Sequence, residues 1–135
     1  MSLKALSTLD DFESAVADST ARPLLIFKHS LTCGTSAYAH QEVEAFLSVP
    51  SLPLDARVVH VQTARAVAGA IADRFGIRHE SPQALLVWNG RVVWHASHYR
   101  ITRHELTAAL ERHLAAALPD APPAVTGPAG SAMSA

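Results

Sequence analysis

The sequence contains a single cysteine, Cys33, and therefore cannot form a disulfide within one chain. This excludes a structural disulfide framework and makes a reducing, cytoplasmic setting the expectation. An excess of charge is also absent, because 11 Lys and Arg residues are matched by 12 Asp and Glu residues. No surface for nucleic acid or for an anionic membrane is expected. Residues 1–4 open no apolar run, so neither a signal peptide nor a spanning helix is predicted.

Apolar residues make up 49% of the 135-residue chain, which suits one compact domain with its own core. We place this domain over residues 1–118. Residues 119–135 are rich in Pro, Ala, Gly and Ser and offer almost nothing to bury, which predicts a disordered tail.

Apolar patterning predicts alternating helices and strands. The continuous apolar run over 23–27 is typical of a strand buried on both faces, and a second short strand is expected over 58–61. Asn89-Gly90 stands between two apolar runs and predicts a hairpin turn. A short strand over 3–6 is expected to complete one edge of the sheet.

Capping residues indicate where the helices begin and end. Thr8 is expected to cap the first helix, and Thr63 to cap a later helix that ends at Gly76. Thr102 and Glu105 form a T-x-x-E capping box ahead of the last helix.

The order of elements decides the fold class. Strands separated by helices run parallel with right-handed crossovers, and the final hairpin adds antiparallel strands. We therefore predict an α/β fold with a small mixed β-sheet of four to five strands, flanked by helices on both faces.

Cys33 lies where the first buried strand gives way to a helix. Unpaired backbone N–H groups and the helix dipole favour an anion there, so a reactive thiolate is expected. The arrangement is C-x-x-S, with Ser36 where dithiol proteins carry a second cysteine. Any mixed disulfide at Cys33 must then be resolved by another molecule. Spacing alone favours the alternative that Cys33 is a small buried hydrophobe, as lone cysteines usually are.

The second half of the chain resembles thioredoxins. Residues 75–78 (Phe-Gly-Ile-Arg), the Ser81-Pro82 pair, the apolar run over 84–88 and the Asn-Gly turn occur in that order and spacing. The resemblance implies a thioredoxin-like fold with Pro82 as a cis-proline facing the cysteine and with the Ser81 backbone offered to a bound thiol or peptide. Without the resemblance, an ordinary proline at a strand start is the favoured interpretation.

A narrower resemblance is to the YtxJ-like monothiol bacilliredoxins, bacterial proteins of the bacillithiol system. Three segments, 27–33, 79–83 and 97–102, resemble that family in order, and the match spans about residues 3–117. One departure is Gly34: the family's usual motif is Thr-Cys-Pro-Ile-Ser, and this chain has Thr-Cys-Gly-Thr-Ser.

The family resemblance implies removal of bacillithiol from mixed disulfides on client proteins, with Cys33 as the catalytic nucleophile. Bacillithiol is the co-substrate, and no intrinsic cofactor or metal is expected. The partners are S-bacillithiolated client proteins and a low-molecular-weight thiol, and a monomer is expected. Because bacillithiol carries carboxylates, a cationic or N–H-rich groove is required beside Cys33. Arg78 and His79 are further candidates to line this groove. The predicted substrate-binding residues are Lys28, His29, Thr32, Ser36, Glu80, Ser81, Pro82 and His98.

Two other functions remain open on the sequence. C-G-T-S also resembles the C-G-F-S motif of monothiol glutaredoxins, which hold an iron–sulfur cluster between two protomers, although the Gly-Gly segment of those proteins is absent. The alternative is a thioredoxin-like module that binds a partner without catalysis. Eight histidines make a metal site worth weighing, but their spacing fits no zinc pattern.

Overall fold

The computed structural model describes residues 3–32, 34–49 and 52–117, with side chains described as far as residue 113. Cys33 and the predicted tail over 119–135 lie outside the described residues. The elements in chain order are β1 (Lys4–Ala5), α1 (Leu9–Asp18), β2 (Leu24–His29), α2 (Gly34–Leu47), β3 (Asp55–His60), α3 (Arg65–Phe75), β4 (Gln83–Trp88), β5 (Arg91–Ser97), a single 3₁₀ turn (His98–Arg100) and α4 (Arg103–Ala117).

The five strands form one mixed sheet in the order β1-β3-β2-β4-β5. β1, β3 and β2 run parallel, and β4 and β5 are antiparallel additions. The parallel register pairs His29 with His60, and the antiparallel register pairs Lys28 with Gln83. The carboxyl ends of β2 and β3 therefore meet the start of β4 at one edge, and the predicted α/β class is confirmed.

Each face of the sheet carries its own core. Leu25 and Phe27 of β2 pack with α2 and α4, whereas Leu24 and Ile26 pack with α1 and α3. This division follows from the alternation of side chains along a strand. It matters for the site because Lys28 lies on the α1/α3 face and the next residue, His29, on the α2/α4 face.

Most of the predicted capping and turn residues have the predicted role in the structure. Thr8 and Asp11 form a reciprocal capping box at α1, and Gly76 ends α3 in the left-handed conformation, with φ of 65°. Asn89 and Gly90 have φ of 54° and 78°, as their hairpin turn requires. Thr102 Oγ1 accepts from the Glu105 N–H at 3.1 Å.

Two expectations are wrong. The cap residue of α3 is Ala64, without a side-chain hydrogen bond, because the Thr63 hydroxyl donates instead to the His60 carbonyl. The second short strand, predicted over 58–61, runs instead from Asp55 to His60, since its backbone pairs with β2 from Leu24 onward. Among the residues that the structure describes, no helix is long and apolar enough to cross a membrane.

Candidate active site

The site is built at the edge where β2 ends. Residues 30–32 lead from β2 towards Cys33, and Gly34 begins α2 directly after it. Cys33 itself lies outside the described residues, so the site is defined by the residues around it. A Cβ added at Gly34 would meet nothing within 4 Å, so no neighbouring atom requires a glycine at this position.

Hydrogen bonds from two sides fix the loop that precedes Cys33. The Gln62 side-chain N–H₂ donates to Ser30 Oγ at 2.8 Å and to Thr32 Oγ1 at 3.2 Å, and Gln62 Oε1 accepts from the Leu31 N–H at 3.2 Å. From the other side, Ser36 Oγ accepts from the Ser30 N–H at 3.1 Å. Ser36 is fully buried, so it supports the loop from within. The ligand contacts predicted for Thr32 and Ser36 stay predictions.

Replacing Gln62 by alanine is expected to loosen this loop. The variant loses three hydrogen bonds, and a net contribution of about 1 kcal/mol predicts roughly fivefold faster hydrogen exchange at the Leu31 amide. Exchange measured by NMR checks the prediction, with Gln41→Ala on the exposed side of α2 as the control. Equal exchange of the Leu31 amide in both variants would contradict it.

The Pro82 loop lies beside the end of β2. The Ser81–Pro82 peptide bond is cis, as the thioredoxin resemblance implies, and Pro82 is buried. The Pro82 carbonyl accepts from the His98 N–H at 3.0 Å. The next residue, Gln83, pairs with Lys28 in the sheet. Tertiary pairing thus brings the two sequence-distant loops of the predicted site together.

Lys28 is fully buried on the α1/α3 face of the sheet. Its Nζ lies 3.1 Å from His79 Nδ1. Burial lowers the pKa of Lys28 from 10.5 to about 8, against an opposing effect from the Glu80 carboxylate. Partial burial and the nearby ammonium lower the pKa of His79. At neutral pH the Lys28 ammonium is therefore charged and donates a hydrogen bond to the neutral imidazole of His79.

Glu80 pairs with His98 at the surface, where Glu80 Oε1 lies 2.8 Å from His98 Nε2. A glutamate at this place beside Pro82 is either a buried acid able to shuttle protons or a solvated loop charge. Its side chain keeps 36% of its exposure, so it is a solvated loop charge with a histidine partner.

His29 does not join this group. It lies on the opposite face of the sheet, with its ring centroid 5.1 Å from that of His40 and 6.0 Å from that of His60. Burial lowers the pKa of His29, and the two neighbouring histidines lower it further. His29 therefore faces away from Lys28, because adjacent strand residues point to opposite faces. Its predicted contact with the small thiol stays a prediction.

Gln62 is a site residue that the sequence did not indicate, and Arg65 follows it closely in the chain. Gln62 follows β3, and Arg65 is the first residue of α3. Both lie at the same sheet edge as the end of β2, since β2 and β3 are parallel neighbours. A polar side chain just after a parallel strand is the signal that could have found Gln62. Within the described residues, no group of three His, Cys, Asp or Glu side chains is arranged to hold a metal ion.

The architecture, the cis-proline and the strand-to-helix junction define a protein of the thioredoxin-fold class. The structure is similar to that of a protein described as a candidate oxidoreductase with a thioredoxin fold, with a TM-score of 0.72, 33% identity, and coverage of 79% of this chain and 92% of that one. It is also similar to thioredoxins of Malassezia sympodialis (TM-score 0.67, 19% identity, 83% and 90% coverage) and of Fasciola hepatica (0.66, 19%, 82% and 99%).

Residues 4–106 match the family model for the monothiol bacilliredoxin BrxC, and the chain belongs to that family. Family and fold together support a thiol–disulfide oxidoreductase function. The narrower of the two resemblances found in the sequence is confirmed.

Proposed function

We propose that this protein removes bacillithiol from mixed disulfides on client proteins by exchange at Cys33. The observation that carries the proposal is the lone cysteine of a chain that belongs to the monothiol bacilliredoxin family. In the sequence this cysteine stands between β2 and α2, and a serine occupies the position of a resolving thiol. The structural role of that serine supports it: Ser36 is buried and its hydroxyl is engaged by the loop.

The exchange proceeds in two balanced steps. The Cys33 thiolate attacks the bacillithiol sulfur of the mixed disulfide, which forms a Cys33–bacillithiol disulfide and releases the client thiolate. A second thiolate then attacks the bacillithiol sulfur, restores the Cys33 thiolate and leaves bacillithiol in a disulfide with that second thiol. One disulfide breaks and one forms in each step: the client returns to its thiol and the second thiol ends in a disulfide, so that second thiol is the reductant that the exchange consumes.

The described residues assist by positioning. The hydrogen bonds of Gln62 and Ser36 hold the loop before Cys33, and the buried Pro82 segment lies beside it. The Lys28 ammonium adds a positive field behind the same edge, which favours a thiolate over a thiol.

The test is intact-mass analysis after mixing the protein with a one-cysteine client that carries bacillithiol. We expect the mass of bacillithiol to move from the client to the wild-type protein, with one client thiol released for each adduct. The Cys33→Ser variant is expected to gain no mass. A parallel arm with a glutathionylated client reports which small thiol is preferred. A wild-type protein that alkylates at Cys33 but takes no bacillithiol would overturn the proposal.

A further inference from the structure

An open cleft of about 500 Å³ lies between the end of β3, the first turns of α3 and the segment before Pro82. It is lined by Val61, Gln62, Arg65, Ala68, Gly69 and His79. Its volume falls within the roughly 300–1,000 Å³ of pockets that take small molecules. None of the roles described so far uses the cleft itself.

The cleft adjoins the loop that carries Cys33. Gln62, one of its lining residues, has its side chain bonded to Ser30, Leu31 and Thr32, the three residues that precede Cys33. A small molecule seated against Gln62 therefore lies alongside the segment that presents the thiol.

The polar groups around the cleft are donors. Arg65 is exposed, and among the described residues no hydrogen bond or ion pair engages its guanidinium. Arg65 also begins α3, whose cap residue Ala64 supplies no side-chain acceptor to the free N–H groups of the first turn. Guanidinium and helix-start N–H groups together suit a carboxylate.

His79 adds a further donor. Its Nδ1 takes the hydrogen bond from the Lys28 ammonium, so the neutral ring carries its hydrogen on Nε2. Lys28 contributes a positive charge behind the ring. The acid nearest to this group, Glu80, is engaged by His98. The lining thus combines an unpaired cation with neutral donors.

We propose that this cleft binds the carboxylate groups of the small thiol exchanged at Cys33, with Arg65 as the side chain that pairs with them. The proposal rests on the exchange function proposed above and names the part of its site that selects anionic thiols. The apolar walls formed by Val61 and Ala68 accommodate the uncharged part of the ligand.

The test compares two symmetric disulfides as substrates: 3,3′-dithiodipropionate, which carries two carboxylates, and the neutral 2-hydroxyethyl disulfide. Rates of adduct formation at Cys33, followed by intact mass, give a ratio of anionic to neutral reactivity. We expect Arg65→Gln to lower this ratio about tenfold, as the loss of one charged hydrogen bond predicts. His79→Leu is expected to lower it about threefold, since it removes a neutral N–H donor and supplies none.

Arg91→Gln is the matched control, because Arg91 is exposed at the hairpin and lies outside the cleft. It is expected to leave the ratio unchanged. Equal ratios in Arg65→Gln and Arg91→Gln would overturn the proposal, as would a wild-type protein that reacts equally fast with both disulfides. This test is separate from the test of function. If the wild-type protein takes no bacillithiol but the Arg65→Gln variant loses the preference for the anionic disulfide, the exchange proposal fails and the cleft proposal stands.

Discussion

Replacing Ser36 by cysteine is expected to let the protein discharge its own mixed disulfide. In the wild-type chain an adduct at Cys33 persists until a second thiol arrives, because no other cysteine is present. In the variant the new thiolate attacks Cys33 Sγ, a disulfide forms between positions 33 and 36, and the small thiol leaves. Residues three apart at the start of a helix lie within the span of a disulfide.

The magnitude of this effect is close to all or none. Without added thiol, we expect the wild-type adduct to remain over hours and the Ser36→Cys adduct to disappear within minutes. Intact mass reports both the loss of the adduct and the mass of an internal disulfide. Since position 36 is buried, burial raises the pKa of the new thiol and release is expected to be faster at higher pH.

The Ser36→Cys variant is expected to stay folded, and the chain offers a matched control. Ser36 Oγ accepts from the Ser30 N–H, and sulfur is a weaker acceptor, so the variant is expected to lose about 1 kcal/mol of stability without unfolding. The control is Gln41→Cys on the exposed side of α2, which stands seven residues after Gly34, or about 10 Å along the helix. That is beyond disulfide reach. A Ser36→Cys adduct as persistent as that of Gln41→Cys would contradict the prediction.

Replacing the buried Lys28 by methionine is expected to stabilise the protein at neutral pH. Burial lowers the pKa of Lys28 from 10.5 to about 8, so the folded state binds this proton less tightly than the unfolded chain does. The difference corresponds to about 3 kcal/mol at pH values below 8. Methionine has a similar length and no charge, but it also loses the hydrogen bond to His79, so we expect a net gain of about 2 kcal/mol at pH 7.

The sign of the pH dependence identifies the cause. Between about pH 8 and 10.5 the unfolded chain holds more protons at Lys28 than the folded protein, so wild-type stability rises with pH across this window. The Lys28→Met variant lacks this rise, so its advantage is expected to vanish at about pH 9.5. Near pH 10.5 the wild type is expected to be the more stable protein by about 1 kcal/mol, because it alone keeps the hydrogen bond to His79. Groups that do not interact with Lys28 cancel in the comparison, whereas His79 and Glu80 do not.

Urea unfolding at pH 7 and at the upper end of this window measures the effect, with Lys4→Met as the control because Lys4 is exposed on β1. We expect no pH-dependent difference between wild type and Lys4→Met. A Lys28→Met variant that is less stable than wild type at pH 7 would show that His79 and Glu80 fully compensate the buried ammonium.

Local signals in the sequence were sufficient for the order of elements. The buried apolar run of β2, the Asn89-Gly90 turn and the Gly76 end of α3 each depend on backbone preferences of a few neighbouring residues. The one-cysteine chemistry is likewise a property of the sequence, because a chain with no second thiol needs a second molecule whatever its fold.

The composition of the site depended on tertiary structure. Lys28 and His29 are adjacent in the chain, yet they serve opposite faces, and only the packing of α2 and α3 decides which partners each face supplies. Gln62 and Arg65 lie at the end of β2 because β3 is its direct neighbour in the sheet. The sequence predicted parallel strands, but which strands are neighbours is decided by long-range pairing. The sequence by itself determined the elements and the single thiol, whereas their long-range packing decided which charges surround it.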